Sequence, residues 1–294
     1  QIYEIHTYLS FDGEKEIDRV LNMKKFVEQM NEKYPRASAR KIPEIPPILE
    51  EKVFEDAYGI DRKNTYQIPI GLTYDTIAPM AIDLLQQGMF SIIGRAESGK
   101  KNLLRVLMDH LYRNVFTCPS EVYIVDGVDR RLREFEAYGN VQEYTIDSND
   151  LIEYLEEIHK ELTERYERVN DGESLDMEPL KLIIVRNQDA IPTLCKNTAA
   201  MKLYKELSGK LKAMKVCFIF MDVENAPVSY SGPEILKSIK DGKNFFFFDD
   251  LQNLKICDIS GATLRKFRKK IMLGDCYWLS GNEIEKLKIV KAEK

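Results

Sequence analysis

Cysteine, histidine and tryptophan are scarce in this chain, and their scarcity argues against several kinds of site. The 294 residues include five cysteines, three histidines and one tryptophan. No two cysteines form a C-x-x-C pair, and the histidines are far apart in the sequence. The pattern therefore predicts reduced thiols, with neither a disulfide framework nor a zinc site.

Long apolar runs and an excess of basic residues are also missing. The densest apolar run, the four phenylalanines at 245–248, has the length of a strand and falls far short of the ~20 residues that cross a bilayer. A formal net charge of −5 argues against a nucleic-acid partner, and we interpret the basic clusters at 265–270 and 286–288 as solvated surface. Because the chain opens on Gln1 without a signal peptide, we expect a piece of a longer protein.

The apolar segments of the chain follow two alternating patterns. Runs rich in Val, Ile and Phe alternate with segments whose apolar residues recur every three or four positions. The first pattern predicts strands at 89–93, 122–125, 141–146, 182–185, 216–221 and 245–248, and the second predicts helices at 98–115, 149–169 and 197–214. Strands that are apolar throughout indicate a mostly parallel sheet with helices on both faces, an α/β fold.

The first 65 residues have a different texture. They predict a strand over 1–9, a helix at 15–33, a proline-rich extended strap at 42–48 and a short helix at 50–58. We interpret residues 1–65 as an N-terminal connecting segment with a helical appendage, and residues 66–294 as the main α/β domain.

A glycine-rich loop is the most informative motif. Residues 94–101 read Gly-Arg-Ala-Glu-Ser-Gly-Lys-Lys, which matches the phosphate-binding pattern G-x-x-x-x-G-K-[ST] except at the last position. A predicted strand precedes the loop and an amphipathic helix follows it, as a P-loop NTPase fold requires. The candidate phosphate-binding residues are Gly94, Glu97, Ser98, Gly99, Lys100 and Lys101. Lys101 replaces the hydroxyl that holds Mg²⁺, and an ammonium group has no lone pair for a metal.

Enzymes with this loop carry a second element, an apolar strand that ends in a carboxylate near Mg²⁺. Two strands compete for this role. The strand at 122–125 ends in Asp126, whereas the strand at 182–185 ends in Arg186 and Asn187. Spacing alone leaves the choice open.

From Tyr66 onward the chain resembles the RecA-like motor ATPases of the FtsK/SpoIIIE type. The resemblance begins at Gln67-Ile-Pro-Ile-Gly-Leu72 and continues through the apolar segment at 80–84 into the glycine-rich loop. It implies that Arg186 and Asn187 occupy the positions of the family's catalytic Asp-Glu pair. It also implies that Phe220-Met-Asp222 replaces the Thr-Gln pair that senses the γ-phosphate.

Over its whole length the chain is similar to the last ATPase module of the EssC/EccC ATPases of type VII secretion systems. The closing stretch Leu273-Gly-Asp-Cys-Tyr-Trp278 contributes to this resemblance. The resemblance implies a RecA-like module on the cytoplasmic side of a bacterial membrane protein. It also implies three kinds of partner: neighbouring ATPase modules of the same chain, small helical secreted substrates, and other secretion components.

The replaced residues lead us to expect a degenerate module that is catalytically inactive and acts in substrate recognition and export regulation. Cations near a metal site repel Mg²⁺, and loss of charge stabilisation slows phosphoryl transfer about a thousandfold or more. We expect no bound metal, and at most weak ATP binding in which Lys101 and Arg186 replace the charge of the metal. The alternative is an active or nucleotide-binding ATPase that powers protein translocation, with Asp126 supplying the acid.

Overall fold

The computed structural model describes residues 11–34, 44–60 and 66–293. The chain divides into two compact units, Gln1–Glu44 and Ile45–Lys294. The first unit contributes the predicted helix α1 (Glu16–Lys33), and none of the residues of α1 is buried. The strand predicted over 1–9 lies outside the described residues.

The second unit alternates strands and helices. Its strands are β1 (Leu49–Glu50), β2 (Gln67–Thr73), β3 (Pro79–Asp83), β4 (Met89–Gly94), β5 (Ser120–Val125), β6 (Val141–Thr145), β7 (Leu180–Val185), β8 (Val216–Met221), β9 (Asn244–Phe248), β10 (Asp275–Ser280) and β11 (Glu283–Lys291). Its helices are α2 (Glu51–Tyr58), α3 (Leu84–Gln87), α4 (Lys100–Arg113), α5 (Asp150–Asn170), α6 (Ala190–Lys196), α7 (Thr198–Ser208), α8 (Glu234–Gly242) and α9 (Gly261–Lys266).

The described strands form one 11-stranded sheet, in the order β3-β2-β11-β10-β9-β4-β8-β7-β5-β6, with β1 beside β11. The strands from β9 to β6 pair in parallel. The strands from β9 to β3 pair antiparallel. The α/β fold with a mostly parallel sheet is therefore confirmed, and the antiparallel extension through β10, β11, β2 and β3 was not predicted as such.

Both faces of the sheet are covered, as predicted. Helices α2 and α4 pack on one face, and α5 to α8 pack on the other. The phenylalanines of β9 show this division, since Phe246 and Phe248 join the first core and Phe245 and Phe247 join the second. All four are fully buried, so the predicted central strand is confirmed.

Two predictions about local structure are wrong. The helix predicted over 197–214 ends at Ser208, and turns lead from there into β8. The basic cluster at 286–288 is not solvated surface, because Lys288 is 1% exposed. The register of β10 and β11 places Asp275 directly opposite Lys288, and a carboxylate partner makes the buried ammonium tolerable.

Part of the predicted connecting segment packs within the second unit. Leu49, the residue after the predicted strap, pairs with Val290 of β11 in parallel register, and Phe54 of α2 is fully buried in the first core. Of the strap predicted over 42–48, residues 42–43 lie outside the described residues, and Pro47 and Ile48 line the cavity over the glycine-rich loop.

Candidate phosphate-loop site

The glycine-rich loop joins β4 to α4, in the strand–loop–helix context that the motif predicts. Gly94 has φ 142° and Gly99 has φ 110°, both in the region that favours glycine. A Cβ atom on Gly94 would lie 2.6 Å from the carbonyl oxygen of Phe248, so only glycine lets β4 approach β9 this closely. The two glycines of the motif are therefore required by the backbone.

The loop lysine is engaged within the protein. Lys100 Nζ donates to the carbonyl oxygen of Gly94 at 2.5 Å and forms an ion pair with Asp222 at 2.5 Å. The buried Ser98 donates its hydroxyl to the carbonyl of Arg95 at 2.8 Å. A phosphate that enters this loop must therefore displace a carboxylate from Lys100.

Glu97 is an unusual residue for its position in the loop. It adopts φ 55°, the left-handed region that few side chains occupy without strain, and its side chain is exposed. It also lines the cavity over the loop. A carboxylate at this rim repels anions that approach the loop amides.

The ammonium of Lys101 is paired with a carboxylate. It lies 2.8 Å from Glu134, which also binds Arg105 at 2.5 Å. Lys101 also lines the cavity over the loop. A phosphate that used the charge of Lys101 would have to compete with Glu134.

Arg186 ends β7 and joins three carboxylates. Its guanidinium donates to Asp126 at 2.6 Å, to Asp129 at 2.6 and 2.7 Å, and to Asp222 at 3.2 Å. Burial alone lowers the pKa of Arg186, but the hydrogen bond with Asp126 and the charges of all three carboxylates raise it above its ordinary value. The expected free cation is instead the centre of a neutralised network.

Asp126, the competing strand-end acid, is fully buried and saturated with hydrogen bonds. It accepts from the backbone N–H groups of Gly127 and Leu132 at 2.8 Å, from the Tyr144 hydroxyl at 2.9 Å and from Arg186 at 2.6 Å. Burial and this hydrogen bond raise the pKa of Tyr144. Asp126 thus fixes the loop after β5 and leaves no lone pair directed at the cavity.

The side-chain amide of Asn187 is hydrogen-bonded within the protein. Its amide nitrogen donates to the carbonyl oxygens of Asp126 at 3.1 Å and Ile146 at 3.0 Å, and its amide oxygen accepts from Asp189 N at 2.9 Å. It is 7% exposed. Asn187 therefore joins three loops and does not line the cavity over the glycine-rich loop, whereas Arg186 does.

A cavity of about 860 Å³ lies over the loop. Its polar side includes Lys100 and Arg186, and its apolar side includes residues 47–49, Met272 and Leu273. Both Met272 and Leu273 are mostly exposed. The cavity thus combines the glycine-rich loop with an apolar wall.

A buried ionic cluster positions the apolar wall. Asp275 is fully buried and accepts from Met272 N at 3.0 Å, from the Tyr74 hydroxyl at 2.8 Å and from Lys288 at 3.1 Å. Lys288 also donates to the carbonyl of Leu273 at 3.0 Å. Burial opposes ionisation of Asp275, but these bonds and nearby lysines hold its pKa below the ordinary value. The cluster fixes the loop at 272–274.

The donor set does not fit Mg²⁺. The hydroxyl ligand is replaced by Lys101, and the carboxylates nearest the loop are bound to Lys100 or Arg186. Among residues 11–34, 44–60 and 66–293, no group of three or more His, Cys, Asp or Glu side chains is arranged to hold a metal ion. The loop amides remain suited to an anion alone.

Sequence reasoning did not anticipate the central role of Asp222. This residue ends the apolar strand β8, adopts φ 55° and contacts both Lys100 and Arg186. The signal that could have identified it was present, because a carboxylate after a buried parallel strand lies at the edge where α/β proteins place their sites.

Parts of the chain are similar in sequence to proteins of ESX secretion systems. No family model matches the chain. A stretch of 126 residues is 33% identical to the ESX secretion system protein EccC of Geobacillus thermodenitrificans, covering 42% of this chain and 8% of that protein. A stretch of 218 residues is 25% identical to the ESX secretion system protein YukB of Bacillus subtilis, covering 70% of this chain and 14% of that protein. The homologues of this chain are therefore EccC/EssC-type secretion ATPases.

Solved structures of EccC/EssC proteins confirm the predicted RecA-like fold. The cytoplasmic domain of EssC matches with a TM-score of 0.67 and 21% identity, over 100% of this chain and 58% of that one. EssC ATPases 2 and 3 from G. thermodenitrificans match with a TM-score of 0.65 and 22% identity, over 96% and 52%. The chain thus spans little more than half of these structures and a small part of the EccC and YukB sequences.

Crossing a bilayer requires helices that are both long and apolar. Within the described ranges, none combines the length and apolar character of a membrane span.

Proposed function

We propose that this chain is a degenerate ATPase module of a type VII protein secretion motor. In this role it recognises partners and regulates export without hydrolysing ATP. The observation that carries the proposal is the bonding of the two residues at the positions of the family's catalytic Asp-Glu pair. Arg186 binds three carboxylates, and the Asn187 side chain donates to two carbonyl oxygens and accepts from a backbone N–H group.

The expected binding of nucleotide is weak and independent of magnesium. The loop amides and Lys100 favour a phosphate, but Asp222 competes for Lys100 and Glu97 repels an anion. Hydrolysis needs a metal and an oriented water, and the residues at these positions supply neither.

The partners follow from the homology. We infer that neighbouring ATPase modules flank this one in a longer chain, on the cytoplasmic side of a bacterial membrane, together with other secretion components. Thermomonospora curvata EccC (ATPases 2 and 3) has been solved in complex with a signal sequence peptide, at a TM-score of 0.62 and 13% identity to this chain. By analogy, we propose that this module binds small helical secreted substrates.

Calorimetric titration of the full chain with ATP, with and without Mg²⁺, tests whether the phosphate-loop site is catalytically inactive. We expect weak binding that Mg²⁺ does not strengthen, together with phosphate release equal to the buffer background. The matched control is Lys100→Ala, which removes the loop cation and leaves that background unchanged.

The alternative, an active ATPase that powers translocation, makes the opposite prediction. Magnesium-dependent binding with phosphate release that Lys100→Ala abolishes would overturn the proposal. The complete burial of Asp126 argues against its service as the replacement acid.

A further inference from the structure

A second cavity lies on the other face of the sheet, among α6, α7 and α8. Its volume is about 760 Å³. Its apolar floor includes Pro192, Cys195, Met201 and Pro233. We call this feature the α7–α8 groove, and the fold and the phosphate loop leave its purpose unexplained.

The rim of the α7–α8 groove is basic, although the whole chain carries a net charge of −5. Its charged lining residues are Lys196, Lys202, Lys205, Lys237 and Glu234. Lys205 is paired with Glu234 at 2.9 Å. In the part of the chain that the structure describes, Lys196, Lys202 and Lys237 have no carboxylate partner, and Lys196 and Lys202 are exposed. Three unpaired cations therefore flank an apolar floor.

An aromatic side chain stands beside this rim. Tyr230 is 99% exposed, and Lys237 Nζ lies 5.4 Å from the centre of its ring. An exposed tyrosine next to an apolar depression and lysines has the composition of residues that anchor protein interfaces. The groove therefore has the features of a protein-binding surface.

The walls of the α7–α8 groove determine the conformation of its occupant. They are helices, and the nearby strands β8 and β9 are paired on both sides. An extended segment would find no free strand edge to satisfy its backbone, whereas a helix satisfies its own hydrogen bonds. The groove thus favours a helical segment.

We propose that the α7–α8 groove binds an acidic amphipathic helix of a partner protein. Apolar side chains of that helix rest on Met201 and the prolines, and its carboxylates face Lys196 and Lys202. The inference deepens the recognition role proposed above and rests on it. A second copy of this chain fits less well. The acidic helix α5 already buries its apolar residues Leu151, Leu155, Ile158 and Leu162, and α1, which exposes its apolar residues, has as many basic as acidic side chains.

Fluorescence anisotropy with the full chain and synthetic helices tests this inference. The probe is a fluorescein-labelled peptide of about 16 residues, roughly four turns, with leucines on one side and glutamates beside them. A second peptide replaces every glutamate with lysine, and a third has the acidic composition with the leucines spread around the helix. We expect saturable binding of the first peptide alone, weakened by added salt.

The charge-reversal variant K196E/K202E should weaken binding of the acidic peptide by about tenfold or more, because it reverses the two exposed unpaired cations of the rim. The matched control K269E/K270E makes the same change of charge at exposed residues away from the groove, and it should leave the affinity unchanged. Circular dichroism and melting temperature verify that both variants fold.

Equal weakening in both variants, equal binding of all three peptides, or no binding would each overturn the inference. Sedimentation that shows K196E/K202E dissociating an oligomer of this chain would also overturn it, in favour of a second copy. These outcomes leave the ATP titration untouched. Magnesium-dependent ATP turnover would instead refute the proposal that the module does not hydrolyse ATP, and it would not change the peptide-binding result.

Discussion

Asp222 shares its two carboxylate oxygens between the loop lysine and the buried arginine. Oδ1 lies 2.5 Å from Lys100 and Oδ2 lies 3.2 Å from Arg186. A carboxylate in this position resembles a bound anion, because it satisfies the cation that would otherwise meet a phosphate. The protein therefore carries an internal competitor of its expected ligand.

Asp222→Asn should strengthen metal-free binding of inorganic pyrophosphate several-fold, because Lys100 loses its competing carboxylate and the site loses a negative charge. Asparagine tolerates the left-handed backbone at this position. Calorimetry in EDTA measures the change. Asp129→Asn is the control, since Asp129 binds Arg186 but makes no ion pair with Lys100. Weaker binding by Asp222→Asn would contradict this account.

Asp275 makes the stability of the protein depend on pH. Its folded-state pKa lies below the ordinary value, so its contribution is fully present above about pH 4 and is lost as the pH falls through the folded-state pKa. Asp275→Asn leaves Lys288 without its buried partner and should destabilise the protein by about 3 kcal/mol at pH 7. The difference from the wild type should narrow in acid.

Urea unfolding at neutral and acid pH measures the effect of Asp275→Asn. Asp75→Asn is the control, because Asp75 pairs with Lys266 at an exposed position and should change stability very little. A difference between wild type and Asp275→Asn that widened in acid would refute the sign of the linkage.

Phe246 of strand β9 packs against two aromatic rings in the first core. Phe246 stacks on Trp278 with ring centroids 4.2 Å apart and meets Phe90 edge-on at 5.8 Å. All its neighbours on this face are themselves packed, so removal of the ring leaves a cavity that the surroundings cannot fill.

Phe246→Ala should therefore destabilise the protein by about 3–5 kcal/mol. Urea unfolding followed by Trp278 fluorescence and circular dichroism measures the loss. Phe116→Ala is the matched control, since Phe116 is 97% exposed and its removal should change the unfolding free energy by less than about 0.5 kcal/mol. A small effect of Phe246→Ala would mean that the core repacks.

Elements with strong local signals were predictable from sequence, and elements defined by distant partners were not. The run at 245–248 identified β9 because four consecutive phenylalanines suit only a strand buried on both faces. In β11, lysines interrupt the pattern and hide the strand. The burial of Lys288 is explained only by the position of Asp275 directly opposite on β10. No local sequence rule predicts that strand register.

The candidate site shows the same limit. The glycine-rich loop was visible because its spacing is local, and the replacements at Lys101, Arg186 and Asn187 could be read by position. The sequence could not show that Arg186 is neutralised, because its carboxylate partners come from the ends of separate strands. Charges could be counted from sequence, but their pairing required the fold.

The division of the chain gives a prediction for the whole molecule. Helix α1 contributes no buried residue, whereas β1 and α2 contribute Leu49 and Phe54 to the core. A fragment that starts at Ile45 should therefore keep the melting temperature of the full chain within a few degrees. A fragment that starts at Gln67 should melt distinctly lower, because it exposes that core surface.

Differential scanning calorimetry of both fragments and the full chain tests this expectation. Equal melting temperatures for all three would mean that residues 45–66 add nothing to the stability of the second unit. A large loss in the fragment from Ile45 would mean that the first unit contributes to the stability of the second.

The amide of Asn187 restricts which side chains its position can accept. A glutamate at 187 would present a carboxylate to the carbonyl oxygens of Asp126 and Ile146, and each of the two would lose its hydrogen-bond donor at a cost of about 1–3 kcal/mol. A carboxylate at position 187 would therefore replace the hydrogen bonds that tie the ends of β5 and β6 to the end of β7.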